Sequence, residues 1–262
     1  MFSEFLDAAI EAAQRAGALL MSMLPETRDS KEVSFKRNTA DLVTRADRMA
    51  EDLITGFLRQ RFPDHGILAE EGTKVSGEYR WVIDPLDGTT NFAHGLHMFA
   101  VSIALERRGE VIAGAVYHPP MDEMFVAERD DGAYLRRGRE QQRLEVSEIK
   151  TVAEAVVATG LPYDIRETGR NIAHTGTLMR TAIEVRVLGA AALHLAYVAA
   201  GRLEAFWEPG LNPWDIAAGA LLVKEAGGRI TDMRGGIFHL ECRDVLASNS
   251  LVHDEMIGLL RG

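Results

Sequence analysis

Apolar residues at the start of the chain recur every three or four positions, first over residues 2–23 and again over residues 46–62. This spacing places the apolar side chains on one face of a helix, so both segments are predicted to be amphipathic helices. Pro63 is expected to end the second helix, because proline disfavours helical conformation in the residue before it. Gly109 is expected to turn a hairpin. Shorter apolar runs predict strands at Gly66–Ala69, Arg80–Ile83, Phe99–Glu106, Val111–His118 and Glu123–Arg129.

The pattern changes near residue 140. Beyond it, short strands alternate with alanine-rich helical segments, at about 155–159, 170–182, 184–187 and 190–200. Such alternation is typical of an α/β arrangement, whereas the preceding run of strands is typical of an α+β arrangement. We therefore predict an α+β half over residues 1–140 and an α/β half over residues 141–262. The two halves are expected to pack tightly, with a functional site between them.

Residues 81–92, Trp-Val-Ile-Asp-Pro-Leu-Asp-Gly-Thr-Thr-Asn-Phe, carry the clearest functional signal. An apolar run leads to two carboxylates, Asp84 and Asp87, at an expected strand end, and Pro85 is expected to fix a turn between them. Gly88 lets the backbone approach a ligand, and the next three residues offer hydroxyl and backbone N–H groups. Carboxylates suit divalent cations and N–H groups suit phosphate, so this segment can hold both.

Several familiar motifs are excluded by the spacing. No lysine follows Gly88 as it would in a P-loop, and no Gly-x-Gly-x-x-Gly follows a strand. The segment also lacks the acidic pattern of an EF-hand. Taken alone, an ordinary turn whose aspartates cap a helix stays open as a structural interpretation.

Two further acidic segments accompany this one. The first is Ile67–Gly72, an apolar run that ends in paired glutamates. The second predicts a helix start, with Asn212 as the N-cap, Pro213 in the first helical position and Asp215 in the first turn. Asp215 alone could equally be a favourable charge at the positive end of the helix dipole.

Composition is that of a globular protein, with 262 residues of which 47% are hydrophobic and 26% charged. The formal net charge of −10, from 39 acidic and 29 basic residues, argues against a surface built mainly for nucleic acid. The one short basic run, Arg136–Arg139, is interpreted as a solvated hairpin turn.

Cysteine use favours a reducing compartment and a cytoplasmic location, because the single Cys242 has no partner for an internal disulfide. Cys242 is expected to be a small buried side chain rather than a nucleophile. The N-terminal segment lacks a basic start followed by an apolar block, so no signal peptide is expected. Apolar runs are also too short for a membrane span.

Three motifs together resemble the inositol monophosphatase family: Ala-Glu-Glu at 69–71, Asp-Pro-Leu-Asp-Gly-Thr-Thr-Asn-Phe at 84–92 and Pro-Trp-Asp-Ile-Ala-Ala-Gly at 213–219. The likeness runs from about Lys36 to about Asn249. That family consists of magnesium-dependent phosphomonoesterases. The resemblance implies a layered αβαβα sandwich of the Mg-dependent sugar phosphatase type, a polyol or sugar phosphate as substrate, and two or three Mg²⁺ ions per active site. It also implies a homodimer.

By this resemblance, the metal ligands are Glu70, Asp84, the backbone carbonyl of Leu86, Asp87 and Asp215. The N-terminal half would then carry most of the ligands, and the C-terminal half the last one. Oxygen ligands without histidine or cysteine suit Mg²⁺ rather than Zn²⁺.

The resemblance further implies that Thr89 contacts the attacking water and that Asp47 orients its hydroxyl. Glu70 is the third catalytic residue, beside a weaker third metal site. Asp47 also has a simple structural interpretation as a helix N-terminal cap, and the two roles are compatible. Backbone N–H groups of Gly88 and Thr89 would hold phosphate oxygens.

Substrate contacts are expected on both halves of the chain. Glu208 lies seven residues before Asp215, which is the family's spacing for a hydroxyl-binding glutamate. Ala190 stands where many members have threonine, so one side-chain contact is expected to be missing. Small residues in this segment are equally what close helix packing requires. The expected set is Leu86, Asp87, Gly88, Thr89, Gly189, Ala190, Ala191, Glu208 and Asp215.

Inositol-1-phosphate is the leading substrate, because relatives that cleave 3′-phosphoadenosine phosphates tend to have Thr-Lys where this chain has Thr-Thr. The alternatives within the superfamily are a fructose-1,6-bisphosphatase, a histidinol-phosphate phosphatase and a 3′-phosphoadenosine-phosphate phosphatase. A different class is a regulatory protein that uses the same fold to bind a protein or RNA partner. The presence of every expected ligand favours catalysis.

Overall fold

The computed structural model describes residues 3–24, 34–35, 42–162, 165–169 and 171–261. Phe2, the first apolar position of the predicted N-terminal helix, and Lys36, where the family likeness begins, lie outside the described residues. The helices are α1 Glu4–Met23, α2 Arg45–Arg61, α3 Thr89–Ala93, α4 Ile165–Thr168, α5 Ile172–Thr181, α6 Ala191–Ala199, α7 Pro213–Glu225 and α8 His253–Arg261.

The strands belong to a two-stranded ribbon, an eight-stranded sheet and a five-stranded sheet. The ribbon consists of β1 Ser34–Phe35 and β2 Leu42–Val43. The eight-stranded sheet contains β3 Gly66–Ala69, β4 Lys74–Val75, β5 Tyr79–Asp87, β6 Ala100–Arg107, β7 Glu110–His118, β8 Glu123–Glu128, β9 Gly132–Arg137 and β10 Glu140–Arg143. The five-stranded sheet contains β11 Val156–Thr159, β12 Glu184–Arg186, β13 Ala205–Glu208, β14 Arg229–Asp232 and β15 Val245–Ser248.

Strand order in the large sheet is β10-β9-β8-β7-β6-β5-β3-β4, and in the small sheet β12-β11-β13-β15-β14. Neighbours in the large sheet are antiparallel except β3 and β5, which run parallel. In the small sheet β11 is parallel to β12 and β13, whereas β15 is antiparallel to β13 and β14.

Helices and sheets alternate in five layers. Helices α1 and α2 cover one face of the large sheet, and α6 and α7 fill the space between the two sheets. Helices α5 and α8 cover the outer face of the small sheet. The predicted αβαβα sandwich is therefore confirmed.

Strand β5 shows how the sequence produces this layering. Trp81 and Ile83 point into the core under α1 and α2, and Val82 between them points into the core shared with α6 and α7. Because the strand is buried on both faces, it requires a continuous apolar run instead of alternation with polar residues. The same run carries the acidic motif into the interior.

Most of the predicted elements are observed within a residue or two. Helix α7 begins at Pro213 with Asn212 as its N-cap, as expected. Strands β6 and β7 form the predicted hairpin, with Arg108 and Gly109 both at positive φ in the turn. A two-residue turn with positive φ at both positions matches the twist of the flanking strands.

The expected turn at Pro85 is wrong. Strand β5 continues through Pro85 to Asp87, and its pairing with β6 instead shifts register between Asp84 and Asp87. Proline has no N–H group for the ladder, and a bulge accommodates this while it re-aims the side chains around it. Both carboxylates consequently project from an irregular strand.

Other expectations are confirmed or corrected in detail. Gly138 and Arg139 form the hairpin turn between β9 and β10, as predicted. Cys242 is only half-buried, not fully buried. Strand β10 ends at Arg143, beyond the expected boundary at residue 140, and the division into halves 1–140 and 141–262 stays a prediction. Among the described helices, none has the length and apolar character needed to cross a membrane.

Candidate active site

The bulge in β5 places Asp84 and Asp87 in the interior, where backbone N–H groups hold them. Asp84 Oδ1 accepts a hydrogen bond from the Leu86 N–H group over 3.0 Å. Asp87 accepts from two N–H groups at the start of α6, from Ala191 over 3.0 Å and from Ala192 over 2.8 Å. Asp87, on the large sheet, thus caps α6, a helix between the two sheets. The Ala191 N–H group serves Asp87, so contact between Ala191 and substrate stays a prediction.

Asp215 lies in the first turn of α7, where its carboxylate completes a capping box. Asp215 Oδ2 accepts from the Asn212 N–H group over 2.7 Å and lies 3.3 Å from Asn212 Nδ2. Reciprocal bonds of this kind satisfy donors that a helix start leaves unpaired. Asp215 therefore lies at the positive end of the helix dipole, as one of its two interpretations expects, and its second carboxylate oxygen, Oδ1, is left for another role.

Glu70 follows β3 in a loop that a buried glutamate organises. Glu51 on α2 accepts hydrogen bonds from the Glu71 N–H group over 2.6 Å and from the Thr73 N–H group over 3.1 Å. Both oxygens of Glu51 are used, which fixes the loop against α2. The Glu71 backbone is thereby part of the support for Glu70.

The four carboxylates interact strongly. Burial raises the pKa of Asp84 well above its ordinary range, and repulsion from Glu70, Asp87 and Asp215 raises it further. Burial likewise raises the pKa of Asp215, with Glu70 as the largest repulsive partner. The pKa of Asp87 rises to about 7 through burial, even though its backbone hydrogen bonds lower it. Carboxylates so placed need positive charge nearby to stay ionised.

The donor set suits a hard divalent cation. Its members are all oxygens, and the mutual repulsion of the carboxylates is the term that a cation would reverse. Within the part of the chain that the structure describes, no three His, Cys, Asp or Glu side chains already form a compact ligand cluster. Two of the four carboxylates, Asp87 and Asp215, are already held by N–H groups at helix starts. The residues fit Mg²⁺ by chemistry, and their assignment as ligands stays a prediction.

Thr89 and Asp47 form the pair expected from the sequence. Thr89 Oγ1 lies 2.9 Å from Asp47 Oδ1 and 3.1 Å from the Leu86 carbonyl oxygen. Asp47 Oδ2 accepts from both the N–H and the hydroxyl of Thr44, over 2.7 and 2.6 Å. Asp47 therefore caps α2 and contacts Thr89 at the same time. Burial raises the pKa of Asp47 to about 6, against the hydrogen bonds from Thr44 and Thr89, which lower it.

Gly88 is required where β5 gives way to α3. Its φ of +93° lies in the left-handed region, and a Cβ atom there would stand 2.8 Å from the Met98 carbonyl oxygen. Both features exclude a side chain. The turn therefore brings the backbone N–H groups at the start of α3 to the surface of the site.

Asn91 has a role that the sequence did not reveal. Its Nδ2 donates to the Met98 carbonyl oxygen over 2.6 Å and to the Leu188 carbonyl oxygen over 2.7 Å. The side chain thus joins the β5 motif to the segment before α6, 97 residues away. No local signal could identify this contact, because the partner is distant in sequence. Thr44 could have been found, since Thr-x-x-Asp before a helical pattern is a capping signature.

Glu208, at the end of β13, differs from the other acidic residues. Its side chain is half-buried, and burial raises its pKa well above the ordinary range, with further repulsion from Asp215 and Asp87. Glu208 therefore lies close enough to Asp215 and Asp87 for the charges to interact. Glu208 and Asp215 are therefore brought to one site with Asp84 and Asp87, as predicted.

Comparison with known proteins gives a consistent result. The model of the inositol monophosphatase family matches residues 1–261. An inositol-1-monophosphatase from Mesorhizobium japonicum is 43% identical, over 97% of this chain and 95% of the relative. A fructose-1,6-bisphosphatase/inositol-1-monophosphatase from Thermotoga maritima is 40% identical, over 96% of this chain and 94% of the relative.

The chain is also similar to proteins named SuhB. Nus factor SuhB from Escherichia coli K12 is 40% identical, over 98% of this chain and 95% of the relative. The crystal structure of extragenic suppressor protein suhB from Bartonella henselae superposes with a TM-score of 0.92 at 39% identity, over 99% of both chains. The match over nearly the whole length, together with the acidic site, shows that the chain belongs to the inositol monophosphatase family.

Proposed function

We propose that this protein is a Mg²⁺-dependent phosphatase that hydrolyses inositol-1-phosphate to inositol and inorganic phosphate. The observation that carries the proposal is the meeting of the Asp47–Thr89 pair with four mutually repelling carboxylates, of which Asp84 and Asp87 are buried. In the reaction, a water oxygen bonds to phosphorus, the bond from phosphorus to the alcohol oxygen breaks, and the alcohol leaves with a proton.

The Thr89 hydroxyl orients the attacking water. When its proton is directed to Asp47 Oδ1, the lone pairs of Oγ1 are free to accept a hydrogen bond from water. Thr44 holds the other Asp47 oxygen, so the carboxylate cannot rotate away. A pKa of about 6 lets Asp47 accept a proton near neutral pH.

The phosphate end of the substrate lies against the start of α3. Backbone N–H groups of Gly88 and Thr89 hold phosphate oxygens there. Glu70, Asp84, the Leu86 carbonyl, Asp87 and Asp215 would hold the Mg²⁺ ions, two or three in number. The chemistry that bound Mg²⁺ supplies is neutralisation of the phosphoryl oxygens and activation of a water.

The alcohol end of the substrate lies against the other sheet. Glu208 supplies an acceptor for hydroxyl groups, and Gly189, Ala190 and Ala191 line the same side. Among the described residues, no hydrogen-bond donor reaches the Glu208 carboxylate. A polyol supplies donors that an apolar alcohol lacks, which is the reason for preferring inositol-1-phosphate.

A panel of phosphomonoesters tests the proposal. Phosphate release would be measured from inositol-1-phosphate, fructose-1,6-bisphosphate, histidinol phosphate and 3′-phosphoadenosine-5′-phosphate, each with Mg²⁺ and with EDTA. We expect Mg²⁺-dependent release with a preference for inositol-1-phosphate. Preference for another member would replace the substrate, and the name of the Thermotoga relative makes fructose-1,6-bisphosphate the first alternative. Release that persists in EDTA would contradict the metal-dependent reaction.

We also propose that two copies of the chain associate through α5 and β12. Strand β12 is an edge of the small sheet, and exposed apolar side chains cluster around it. These side chains are Leu161, Ile172, Met179, Ile183 and Val187. Light scattering should give a dimer that Met179→Glu dissociates. Ile237→Glu, on an exposed loop elsewhere, is the matched control and should leave the dimer intact.

A second candidate function, binding to a protein or nucleic-acid partner, is favoured by the name of the E. coli relative, Nus factor SuhB. A partner that binds the Asp84→Asn variant as well as it binds the unchanged protein, and that releases with salt, would support it. Binding that requires Asp84 would place the partner at the catalytic site instead. A cytoplasmic location stays a prediction from cysteine use.

A further inference from the structure

The Glu208 carboxylate lies directly against Gly160, the residue that follows β11. A Cβ atom on Gly160 would stand 1.9 Å from Glu208 Oε2, 2.1 Å from its Cδ and 2.2 Å from its Oε1. These distances are far below van der Waals contact, so the carboxylate occupies the space of a side chain at residue 160. Gly160 is not at positive φ. Space, and not backbone conformation, therefore requires a glycine here.

A buried hydrogen-bond network holds the backbone on both sides of this contact. Asn171 Nδ2 donates to Thr159 Oγ1 over 2.7 Å and to the Gly160 carbonyl oxygen over 2.8 Å. Thr159 Oγ1 donates to the Trp207 carbonyl oxygen over 2.6 Å. That carbonyl belongs to the peptide bond leading into Glu208. Asn171, with the Thr159 hydroxyl as an intermediate, thus connects the backbone at Gly160 to the backbone before Glu208.

The network closes on itself. Trp207 Nε1 donates to Asn171 Oδ1 over 2.6 Å, so the Asn171 amide is used as both donor and acceptor. Asn171 is 4% exposed, and Thr159 and Trp207 are fully buried. The φ angle of Asn171, +70°, is one that asparagine adopts more readily than most residues. Buried polar groups that are satisfied together favour one arrangement, because any shift leaves one of them unpaired.

The network holds the backbone on both sides of the Glu208 carboxylate, and among the described residues no donor reaches that carboxylate. Repulsion from Asp215 and Asp87 marks Glu208 as facing the same cleft. A half-buried acceptor that is held still binds a ligand with hydroxyl groups and rejects one without them, since the latter removes water from the acceptor without supplying a donor.

Resting on the proposed function, we propose that Gly160 and the Asn171–Thr159–Trp207 network are positioning elements for Glu208. They fix the carboxylate as the acceptor for hydroxyl groups of the leaving alcohol. They thereby set the preference for polyol phosphates over phosphomonoesters whose alcohol has no further hydroxyl group.

The main test replaces Gly160 and compares two substrates. In Gly160→Ala the new Cβ displaces the carboxylate, so kcat/KM for inositol-1-phosphate should fall about tenfold or more, mainly through KM. For phenyl phosphate, whose alcohol has no further hydroxyl group, kcat/KM should change less than about twofold. Gly258→Ala is the matched control, because a Cβ there meets no atom within 4 Å. This control should leave kcat/KM for both substrates unchanged.

A second variant tests the network without adding volume. Trp207→Phe keeps an aromatic ring but removes the N–H donor to Asn171, and should lower the inositol-1-phosphate to phenyl phosphate ratio about threefold or more. Trp81→Phe is its control, because Trp81 is also fully buried but its Nε1 has no partner. The control should leave the ratio unchanged.

A double-mutant cycle separates positioning from general damage. If Gly160 acts through Glu208, adding Gly160→Ala to a Glu208→Ala background should cause no further loss of preference. An equal loss on both substrates in Gly160→Ala, or full additivity in the cycle, would overturn the inference while the proposed function stands. No phosphate release by the unchanged protein would overturn the proposed function and this inference with it. If Gly160→Ala does not fold, the Trp207→Phe ratio decides the matter.

Discussion

The two sides of the cleft are built differently. The β5 side consists of Asp47, Glu70 and residues 84–91, and the β13 side consists of Gly160, residues 189–191 and Glu208. On the β5 side each aspartate and Thr89 already has a hydrogen-bond partner within the protein. On the β13 side, the Glu208 carboxylate packs against Gly160, but no hydrogen-bond donor among the described residues reaches it.

One site can thus use different groups for the chemical step and for the choice of substrate. Groups that handle the reacting phosphate need fixed geometry, so their hydrogen bonds are made in advance. A group that selects the alcohol is most discriminating when only the correct ligand satisfies it. Changes on the β5 side should therefore lower turnover of every substrate, whereas changes on the β13 side should alter the choice among substrates.

The largest effect is expected for Asp84→Asn. Loss of one charge among four carboxylates at nearly constant shape should lower turnover about a thousandfold for inositol-1-phosphate and phenyl phosphate alike, in excess Mg²⁺. Without Mg²⁺ the same variant should unfold at a higher temperature than the unchanged protein, because folding no longer has to bury or protonate the Asp84 carboxylate. Added Mg²⁺ should then raise its melting temperature less. Normal turnover would refute the ligand assignment.

Thr89→Val should come next, with kcat about a hundredfold lower for both substrates. Valine has nearly the same shape as threonine but lacks the hydroxyl that contacts Asp47. Thr89→Ser keeps the hydroxyl and should recover most of the activity. Steady-state kinetics of the two variants would decide, and similar losses in both would assign the effect to packing instead of to the hydroxyl.

Asp215→Asn should have a smaller effect that tests the boundary between the two sides. Asp215 lies in the first turn of α7. Its charge repels the Glu208 carboxylate, and the charge that most raises its own pKa is that of Glu70. We expect the Mg²⁺ concentration for half-maximal rate and the KM for inositol-1-phosphate to rise together, each about tenfold. Asn212 is still able to pair with the amide, so the helix cap should survive. A change in KM alone would place Asp215 with the β13 side only.

The smallest expected effect concerns pH and the core behind the β13 side. Burial lowers the pKa of His194 to about 3 and that of His253 to about 4. Above pH 6.5, the ordinary pKa of histidine, both side chains are neutral in the folded and in the unfolded chain. Their burial then costs no deprotonation, and the free energy of unfolding has its full value. As pH falls below the ordinary pKa the unfolded chain binds protons first, and stability decreases by up to about 1.4 kcal/mol per pH unit for each group.

His194→Gln should make the pH slope shallower between pH 6.5 and 5, as measured by urea unfolding. Glutamine keeps an acceptor for the Leu188 N–H group that His194 Nε2 binds. His239→Gln, at an exposed position, is the control and should leave the slope unchanged. An unchanged slope in His194→Gln would mean that this histidine is not buried as a neutral group.

Sequence patterns predicted the β5 side better than the β13 side for a physical reason. Asp84, Asp87, Gly88 and Thr89 lie within six residues, so a single strand and turn bring them together. The helix start at Asn212–Asp215 was also predictable, because capping is a local interaction. The expected turn at Pro85 failed because pairing with β6 keeps the strand extended and absorbs the proline in a bulge.

Local patterns along the chain were therefore enough to predict most strands and helices and the residue types of the acidic site, and the resemblance to the family added the layered fold. Periodicity and capping act within a few residues, so they can be read along the chain. Three contacts could not be predicted in this way: Asp87 caps α6, Asn91 reaches Leu188, and Gly160 makes room for Glu208. These contacts join residues 48 to 104 positions apart, and only the packing of the two sheets brings them together.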